Sequence, residues 1–172
     1  RDRIQAAYAL QNTAGTVAGL GNELLTVSDT TLAVTQANIL SGLTTGAVTA
    51  TIAEGDMATL ANLRAEENAY TITVTDASVA SAALITLNAR TSLPVTLTSA
   101  TLTGTVANVT TCLQANAATP ATLSGLDAVN LTLSNAATAA QLITLDGLTT
   151  GTITGSISAV ATALLIADNG AT

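Results

Sequence analysis

The sequence is most informative in what it lacks. It contains no His, Phe or Trp, and its only aromatic residues are Tyr8 and Tyr70. Without His, a Ser, Thr or Cys nucleophile has no imidazole base, which excludes triad-type catalysis. The single Cys112 excludes an internal disulfide framework. We expect it to be a small buried core residue, because no metal-ligating partner stands at a suitable spacing.

Charge is also scarce. Only 9% of the 172 residues are charged, and four basic residues against eleven acidic ones leave a net charge of −7. Binding to nucleic acid requires many Lys and Arg residues to neutralise phosphates, so we expect no nucleic-acid partner. No run of about 20 apolar residues occurs, and we therefore expect no membrane span. The longest candidate, "ISAVATALLIA" (157–167), is too short and predicts a buried helix.

What the chain does contain is a repeat rich in Thr and Ala. Short runs alternate between Thr or Ser and an apolar residue, as strands with one buried face do. They are "LLTVS" (24–28), "AVTAT" (47–51), "TITVT" (71–75), "PVTLT" (94–98), "NLTLS" (130–134) and "TITGS" (152–156). The recurrence interval is about 23 residues, with a longer interval at an insertion near "ANAATPATLSG". A fixed period in this range is typical of a solenoid.

Between these runs the apolar spacing becomes helical. Examples are Met57, Leu60 and Leu63; Val79, Ala83 and Leu87; and Leu142, Leu145 and Leu148. Offsets of three and four place each set on one helix face. A break such as "LTTG", at 43–46 and 148–151, then precedes the next strand.

The sequence therefore predicts an α/β fold. We expect one right-handed solenoid domain over 1–172, with a single wall of about six parallel strands and one row of short helices. Its predicted rungs are 24–46, 47–69, 70–93, 94–127 and 128–151, with a partial rung at 1–23 and a terminal rung at 152–172. Because the pattern is cut at both ends, we expect the chain to be a segment of a longer protein.

The repeat also resembles a known group of proteins. The run from Gly19 to Ala50, with "GLGNE", "TVSDTTLA" and "LSGLTTG", and the later "LITLDGLTTG", resemble the Thr/Ala-rich repeats of giant cell-surface proteins of cyanobacteria and marine bacteria. The resemblance implies an adhesin-like or structural role at the cell surface or outside the cell. It implies no catalysis and no cofactor.

The outward Thr residues form the main candidate site. If the apolar residues face inward, a column of Thr faces outward, with a second hydroxyl column beside it. The first column is Thr26, Thr49, Thr73, Thr96, Thr132 and Thr154, and the second is Ser28, Thr51, Thr75, Thr98, Ser134 and Ser156. One interpretation is that Thr is simply the residue best suited to the solvent face of a strand. The grid also resembles that of β-solenoid ice-binding proteins, and it could instead contact a glycan or an identical chain.

The acidic residues have structural explanations. Asp29, Asp76, Asn135 and Ser99 each follow a strand, and we expect them to cap helices rather than to bind a cation. A second group comprises Glu54, Asp56, Glu66 and Glu67 with Arg64. Paired carboxylates can hydrolyse glycosides across a cleft, but a solvated helix face is the favoured interpretation.

The leading functional hypothesis is a non-catalytic stalk, filament or matrix segment that associates end to end or continues into more of the same chain. A binding module for ice or glycan is the alternative. An enzyme is third.

Overall fold

The computed structural model describes residues 1–14, 18–28, 31–66, 68–98 and 101–158. In this part of the chain the helices are α1 (Asp2–Ala14), α2 (Val34–Ser41), α3 (Met57–Leu60), α4 (Ser81–Asn88), α5 (Val106–Ala117) and α6 (Ala139–Asp146). The strands are β1 (Leu25–Thr26), β2 (Val48–Thr51), β3 (Ala69–Val74), β4 (Ser78–Ala80), β5 (Val95–Leu97), β6 (Thr101–Gly104), β7 (Leu123–Ser124), β8 (Asn130–Leu133) and β9 (Ile153–Thr154).

The α/β class is confirmed, but the single wall of strands is wrong. The described strands form two sheets, one ordered β1-β2-β3-β5-β7 and the other β4-β6-β8-β9, and the paired strands run parallel. All six predicted runs contain a strand. Three further strands, β4, β6 and β7, were not predicted. Each lies in a predicted rung to which the repeat alignment had already assigned a strand.

The alternation of inward and outward residues is confirmed in detail. Every apolar residue of β2, β5 and β8 is buried, and so are Ile72 and Val74 of β3. The outward Thr residues of these strands are exposed, except that Thr96 is half-buried. Burial is weaker on β1 and β9, where Leu25 and Ile153 are only half-buried, and Gly155, directly after β9, is exposed.

The pairing register agrees with the repeat alignment at two junctions and differs at a third. Thr26 pairs with Thr49 and Thr132 with Thr154, as aligned. Thr49, however, pairs with Ala69 instead of Thr73. At this junction the buried Asn68 side-chain Oδ1 accepts a hydrogen bond from the Val48 N–H at 2.7 Å, a contact that the repeat alignment did not include.

The residues divide into two compact units, which we describe separately. Unit 1 comprises Arg1–Val74 with Thr86–Val95, and unit 2 comprises Thr75–Ile85 with Thr96–Thr172. Buried side chains of unit 1 include Leu40, Leu60 and Tyr70. Those of unit 2 include Leu102 and Leu113. Each unit thus has its own apolar core.

The helix predictions are met in part. Leu60 is buried in α3 and Leu145 in α6, as their spacing indicates. Val79 lies in β4, so its assignment to a helix face is wrong, since α4 begins only at Ser81. Of the predicted helix at 157–167, only Ile157 and Ser158 belong to the described residues, and the rest lies outside them. Among the described helices, none has the length and apolar character needed to cross a bilayer.

Candidate functional site: the threonine rows and their supports

The predicted Thr column is divided between the two sheets. The five-stranded sheet carries Thr26, Thr49, Thr51, Thr73 and Thr96, with Thr75 and Thr98 just after its strands; the four-stranded sheet carries Thr132 and Thr154. The single ladder is therefore wrong as a geometric prediction, because it aligned strands that belong to different sheets. Whether either part binds anything stays a prediction.

In unit 1 the Thr rows are short. Thr26 lies beside Thr49, but the next residue in that row is Ala69. On the following row Thr51 lies beside Thr71, which the alignment had not placed there. All four Thr side chains are exposed. Ala69 therefore interrupts the first row after two Thr residues.

In unit 2 the sheet carries a longer row. Thr103 pairs with Thr132 and Thr132 with Thr154, while Ala80 of β4 precedes Thr103. We call Thr103, Thr132 and Thr154 the three-threonine row. Thr103 was missed because only one strand, at 94–98, was assigned to the predicted rung 94–127, although "TLT" (101–103) has the same alternation as the other strands.

A second row in unit 2 is more polar and is internally bonded. Ser78, Thr101 and Asn130 pair across β4, β6 and β8. The Asn130 Oδ1 accepts hydrogen bonds from both the N–H and the Oγ1 of Thr152, each at 2.9 Å. Together the rows present uncharged hydroxyls, amides and methyl groups. Such a surface can contact another uncharged surface, but it offers no activated nucleophile.

The LTTG segments connect each repeat to the preceding one. In unit 1 the buried Thr44 hydroxyl donates to the Glu23 carbonyl at 2.8 Å and accepts from the Gly46 N–H at 2.9 Å. In unit 2 the buried Thr149 hydroxyl donates to the Val129 carbonyl at 2.9 Å and accepts from the Gly151 N–H at 3.1 Å. The same four-residue sequence thus makes the same connection twice.

The second Thr and the Gly complete this connection. The N–H groups of Thr45 and Thr150 each donate at 2.7 Å, to the Gly21 and Asp127 carbonyls respectively. A Cβ on Gly46 would overlap the Glu23 carbonyl oxygen, to which Thr44 donates. A Cβ on Gly151 would likewise overlap the Val129 carbonyl oxygen, to which Thr149 donates. Only Gly permits this backbone approach. LTTG, predicted as a break before a strand, is therefore also a clamp between repeats.

The acidic group does not converge on a site. The Glu54 carboxylate accepts from the Val34 N–H at the start of α2, at 3.0 Å. Asp56 caps α3 by accepting from the Thr59 N–H at 2.8 Å, and this bond holds the pKa of its carboxyl below the ordinary value. These two carboxylates each serve a helix start, so the solvated-face interpretation missed their roles.

Two of the remaining members of that group, Glu66 and Arg64, also have partners. Glu66 accepts from the Ser41 hydroxyl and pairs with Arg64, whose Nε lies 3.1 Å from its Oε1. Glu67 lies outside the described residues. In the described part of the chain, no three His, Cys, Asp or Glu side chains are grouped so that they could hold a metal ion.

The predicted capping residues have mixed outcomes. Asp29 and Ser99 lie outside the described residues. Asp76 precedes β4 and not a helix, so its predicted position directly before a helix is wrong. Asn135 does cap a helix, but one of an earlier repeat: its Oδ1 accepts from Val106 at the start of α5, at 2.9 Å. Side chains that the sequence did not single out, Thr105 and Thr138, cap α5 and α6.

Cys112 is a buried core residue, as predicted. Its side chain is 0% exposed, and its Sγ lies 3.6 Å from the Ser81 carbonyl oxygen. Burial raises the pKa of its thiol to about 12. The thiolate, which is the reactive form, is therefore disfavoured at neutral pH.

Comparisons with known proteins identify no relative of this chain: no protein-family model, no curated protein and no solved structure matches it.

Proposed function

We propose that the chain is a non-catalytic structural segment, a right-handed solenoid of strand–helix rungs of about 23 residues, within a stalk, filament or matrix component at the cell surface or outside the cell. The observation that carries this proposal is the clamp between repeats. LTTG binds the backbone of the preceding repeat in the same way in both units.

Side chains of one repeat also complete helices of another. Glu54 and Asn135 each accept from the first amide of a helix 20 or more residues earlier in the chain. These polar side chains thus join repeats. In solenoids, stability depends on such nearest-neighbour interfaces. The absence of His from the sequence supports the proposal that the segment is non-catalytic.

The cellular location is part of this proposal and rests on the resemblance to giant surface proteins. We further propose that the partners are more copies of the same repeat, either in the same chain or end to end in another, and not nucleic acid.

Electron microscopy of the purified protein across a concentration series tests this function. Rods or filaments with an axial repeat near the strand spacing of about 4.8 Å are expected. Discrete particles at every concentration, together with a single monomeric mass by analytical ultracentrifugation, would contradict end-to-end association.

A binding function for ice or glycan is the alternative, and the three-threonine row is the observation that favours it. Thr132 and Thr154 are exposed on adjacent strands of unit 2. The double variant Thr132→Lys and Thr154→Lys is expected to abolish ice shaping or glycan retention without loss of folding. The matched control is Thr26→Lys with Thr49→Lys, two exposed and paired Thr residues of unit 1. No activity in the parent chain would eliminate the alternative.

A further inference from the structure

The segment before β1 takes the place of the clamp in the first repeat. It reads "LGNE" (20–23), and it ends two residues before its strand, as LTTG at 43–46 and 148–151 does. Gly21 and Asn22 stand where LTTG has its two Thr residues. The hydroxyl that binds the preceding repeat in both clamps is therefore missing here. This segment cannot bind an earlier repeat as LTTG does.

The segment binds helix α1 instead. The Gln11 Nε2 donates to the Leu20 carbonyl at 3.2 Å, and the Gln11 Oε1 accepts from the Leu20 N–H at 2.8 Å. The Tyr8 hydroxyl donates to the Glu23 carboxylate at 2.5 Å, and the Gly21 N–H donates to the same carboxylate at 2.8 Å. We call the three hydrogen bonds made by Tyr8 and Gln11 the α1 latch. Helix α1 thus binds the segment that corresponds to the clamp.

Helix α1 also lies beside the free edge of a sheet. Strand β1 pairs with β2, and within the described residues no strand pairs with its other edge. The first turn of α1, together with Thr26 and Ser28, lines a cavity of about 500 Å³. An uncovered edge strand offers its N–H and C=O groups to another chain. The helix therefore lies next to the place at which a further strand would be added.

The contacts that hold α1 are mainly polar. Among its residues 2–11 only Tyr8 is buried, whereas Ile4 is half-buried and Leu10 is 48% exposed. The cavity shows that the first turn of α1 is not close-packed against β1. The net contribution of a hydrogen bond to stability is small, because water replaces the lost partner. Helix α1 can therefore detach from unit 1 and expose few apolar side chains.

We propose that α1 is a displaceable cap: it covers the edge of β1, and a second copy of the repeat docks at that edge when the α1 latch opens. This docking is a form of the end-to-end association proposed above, so it rests on that proposed function and assigns a surface to it.

A second copy is the occupant that the sheet itself indicates. Strand β2 has a parallel neighbour from another repeat on each side, β1 and β3, whereas β1 has such a neighbour on one side only. A further strand–helix repeat would supply the missing parallel strand. Addition of a strand to a sheet edge uses main-chain hydrogen bonds, so it does not require the hydroxyls that LGNE lacks.

The test compares the whole chain with the latch variant, Tyr8→Phe with Gln11→Ala, which removes the α1 latch and keeps the aromatic ring. Gln5→Ala in the same helix is the matched control, because the Gln5 side chain has no hydrogen-bond partner within the described residues. Hydrogen exchange of the α1 amides is expected to become about tenfold faster in the latch variant, since its latch bonds are lost. Amides of β2 and β3 should keep their protection, which shows that unit 1 stays folded.

Association of the same three proteins is measured by analytical ultracentrifugation over a concentration series. A binding-competent state that is only partly populated weakens the apparent affinity by its population. The concentration at which the latch variant associates should therefore fall by the factor by which its α1 exchange rises, about tenfold. The Gln5→Ala control should exchange and associate as the parent does.

The possible failures have different signatures. Equal α1 exchange in the latch variant and the control would refute the latch. Faster α1 exchange, with association at the same concentrations as the parent, would show that α1 does not cover the docking edge, and would leave the proposed end-to-end association intact. Monomers at every concentration, even with α1 released, would refute the end-to-end association itself and this docking with it.

Discussion

The two units use the same clamp but differ in their charges. Unit 1 holds all four basic residues, which are arginines, whereas unit 2 contains no cation. In unit 1, Arg90 donates to the Ala61 and Leu63 carbonyls, and Glu54 and Asp56 support helix starts. In unit 2, the corresponding polar contacts come from hydroxyls and amides, as in Asn135 and the Thr138 capping box. Neutral and ionised groups therefore meet the same structural need, namely satisfying backbone groups at helix starts and between repeats.

The largest loss of stability is expected from a change in the LTTG clamp, which the two units share. Gly151→Ala places a Cβ onto the Val129 carbonyl, a backbone atom that cannot move without opening the clamp. We expect the free energy of unfolding to fall by about 3 kcal/mol in urea titrations. Gly147→Ala is the matched control, since its Cβ would find its nearest atoms at 3.6 Å. If the two variants are equally stable, the clamp is not the close contact described here.

Removing the clamp hydroxyl should have the next largest effect. Thr149→Val leaves the Val129 carbonyl and the Gly151 N–H without their buried partner, and Thr44→Val does the same in unit 1. Each change is expected to lower the free energy of unfolding by about 1–3 kcal/mol. The control is Thr150→Val, because the hydroxyl of this exposed residue donates to the Asp127 carbonyl at 3.1 Å, and the Thr150 N–H keeps its shorter bond of 2.7 Å to the same carbonyl. A loss in Thr149→Val no larger than in Thr150→Val would contradict the assignment.

Lowering the pH should destabilise unit 1 more than unit 2. Asp2, Glu23 and Asp56, whose carboxyl pKa values are lowered, all lie in unit 1. The causes are the Arg1 guanidinium for Asp2, the Gly21 N–H and Tyr8 hydroxyl for Glu23, and the Thr59 N–H for Asp56. A lowered folded-state pKa stabilises the fold above the ordinary values of 3.8 for Asp and 4.5 for Glu, and this stability is lost as the pH falls through the folded pKa.

Hydrogen exchange read residue by residue between pH 6 and pH 3 measures this difference. Amides of unit 1 should lose protection, relative to the intrinsic exchange rate, before those of unit 2. Asp56→Asn, which can still cap α3, should reduce the loss near Thr59. Equal loss in both units would show that these carboxylates do not govern acid stability.

The smallest effect is expected at the ion pair of Arg64 with Glu66. Both side chains are well exposed, at 50% and 41%, so water and salt screen their attraction. Arg64→Gln should change the free energy of unfolding by a few tenths of a kcal/mol at most, and mainly reduce its dependence on salt. A loss above about 1 kcal/mol would mean that unit 1 depends on its charges far more than its geometry indicates.

The sequence patterns located the six main strands but not their sheets. Alternation identified β2, β3 and β8 with the correct faces inward. One face of each strand is buried, and burial of one face requires an apolar residue at every second position of the sequence. Alternation does not state which strand pairs with which. The alignment therefore joined Thr96 to Thr132, whose strands lie in different sheets.

The candidate site was predictable only in its composition. The outward direction of Thr132 and Thr154 follows from the pattern, and their adjacency follows from the 22-residue interval. The role of Thr103 and the register at Asn68 depend on contacts between residues 20 or more positions apart. The same holds for Glu54 and Asn135, which cap helices of earlier repeats and carry no local capping signature.

By itself, the sequence determined which residues are buried and that the chain repeats, since burial of apolar side chains acts position by position. Only the tertiary structure decided that there are two sheets, which strands are neighbours beyond the pairs that the repeat interval predicted, and why LTTG recurs. Those features depend on backbone carbonyls and amides finding partners in another repeat, and every residue type carries the same backbone groups.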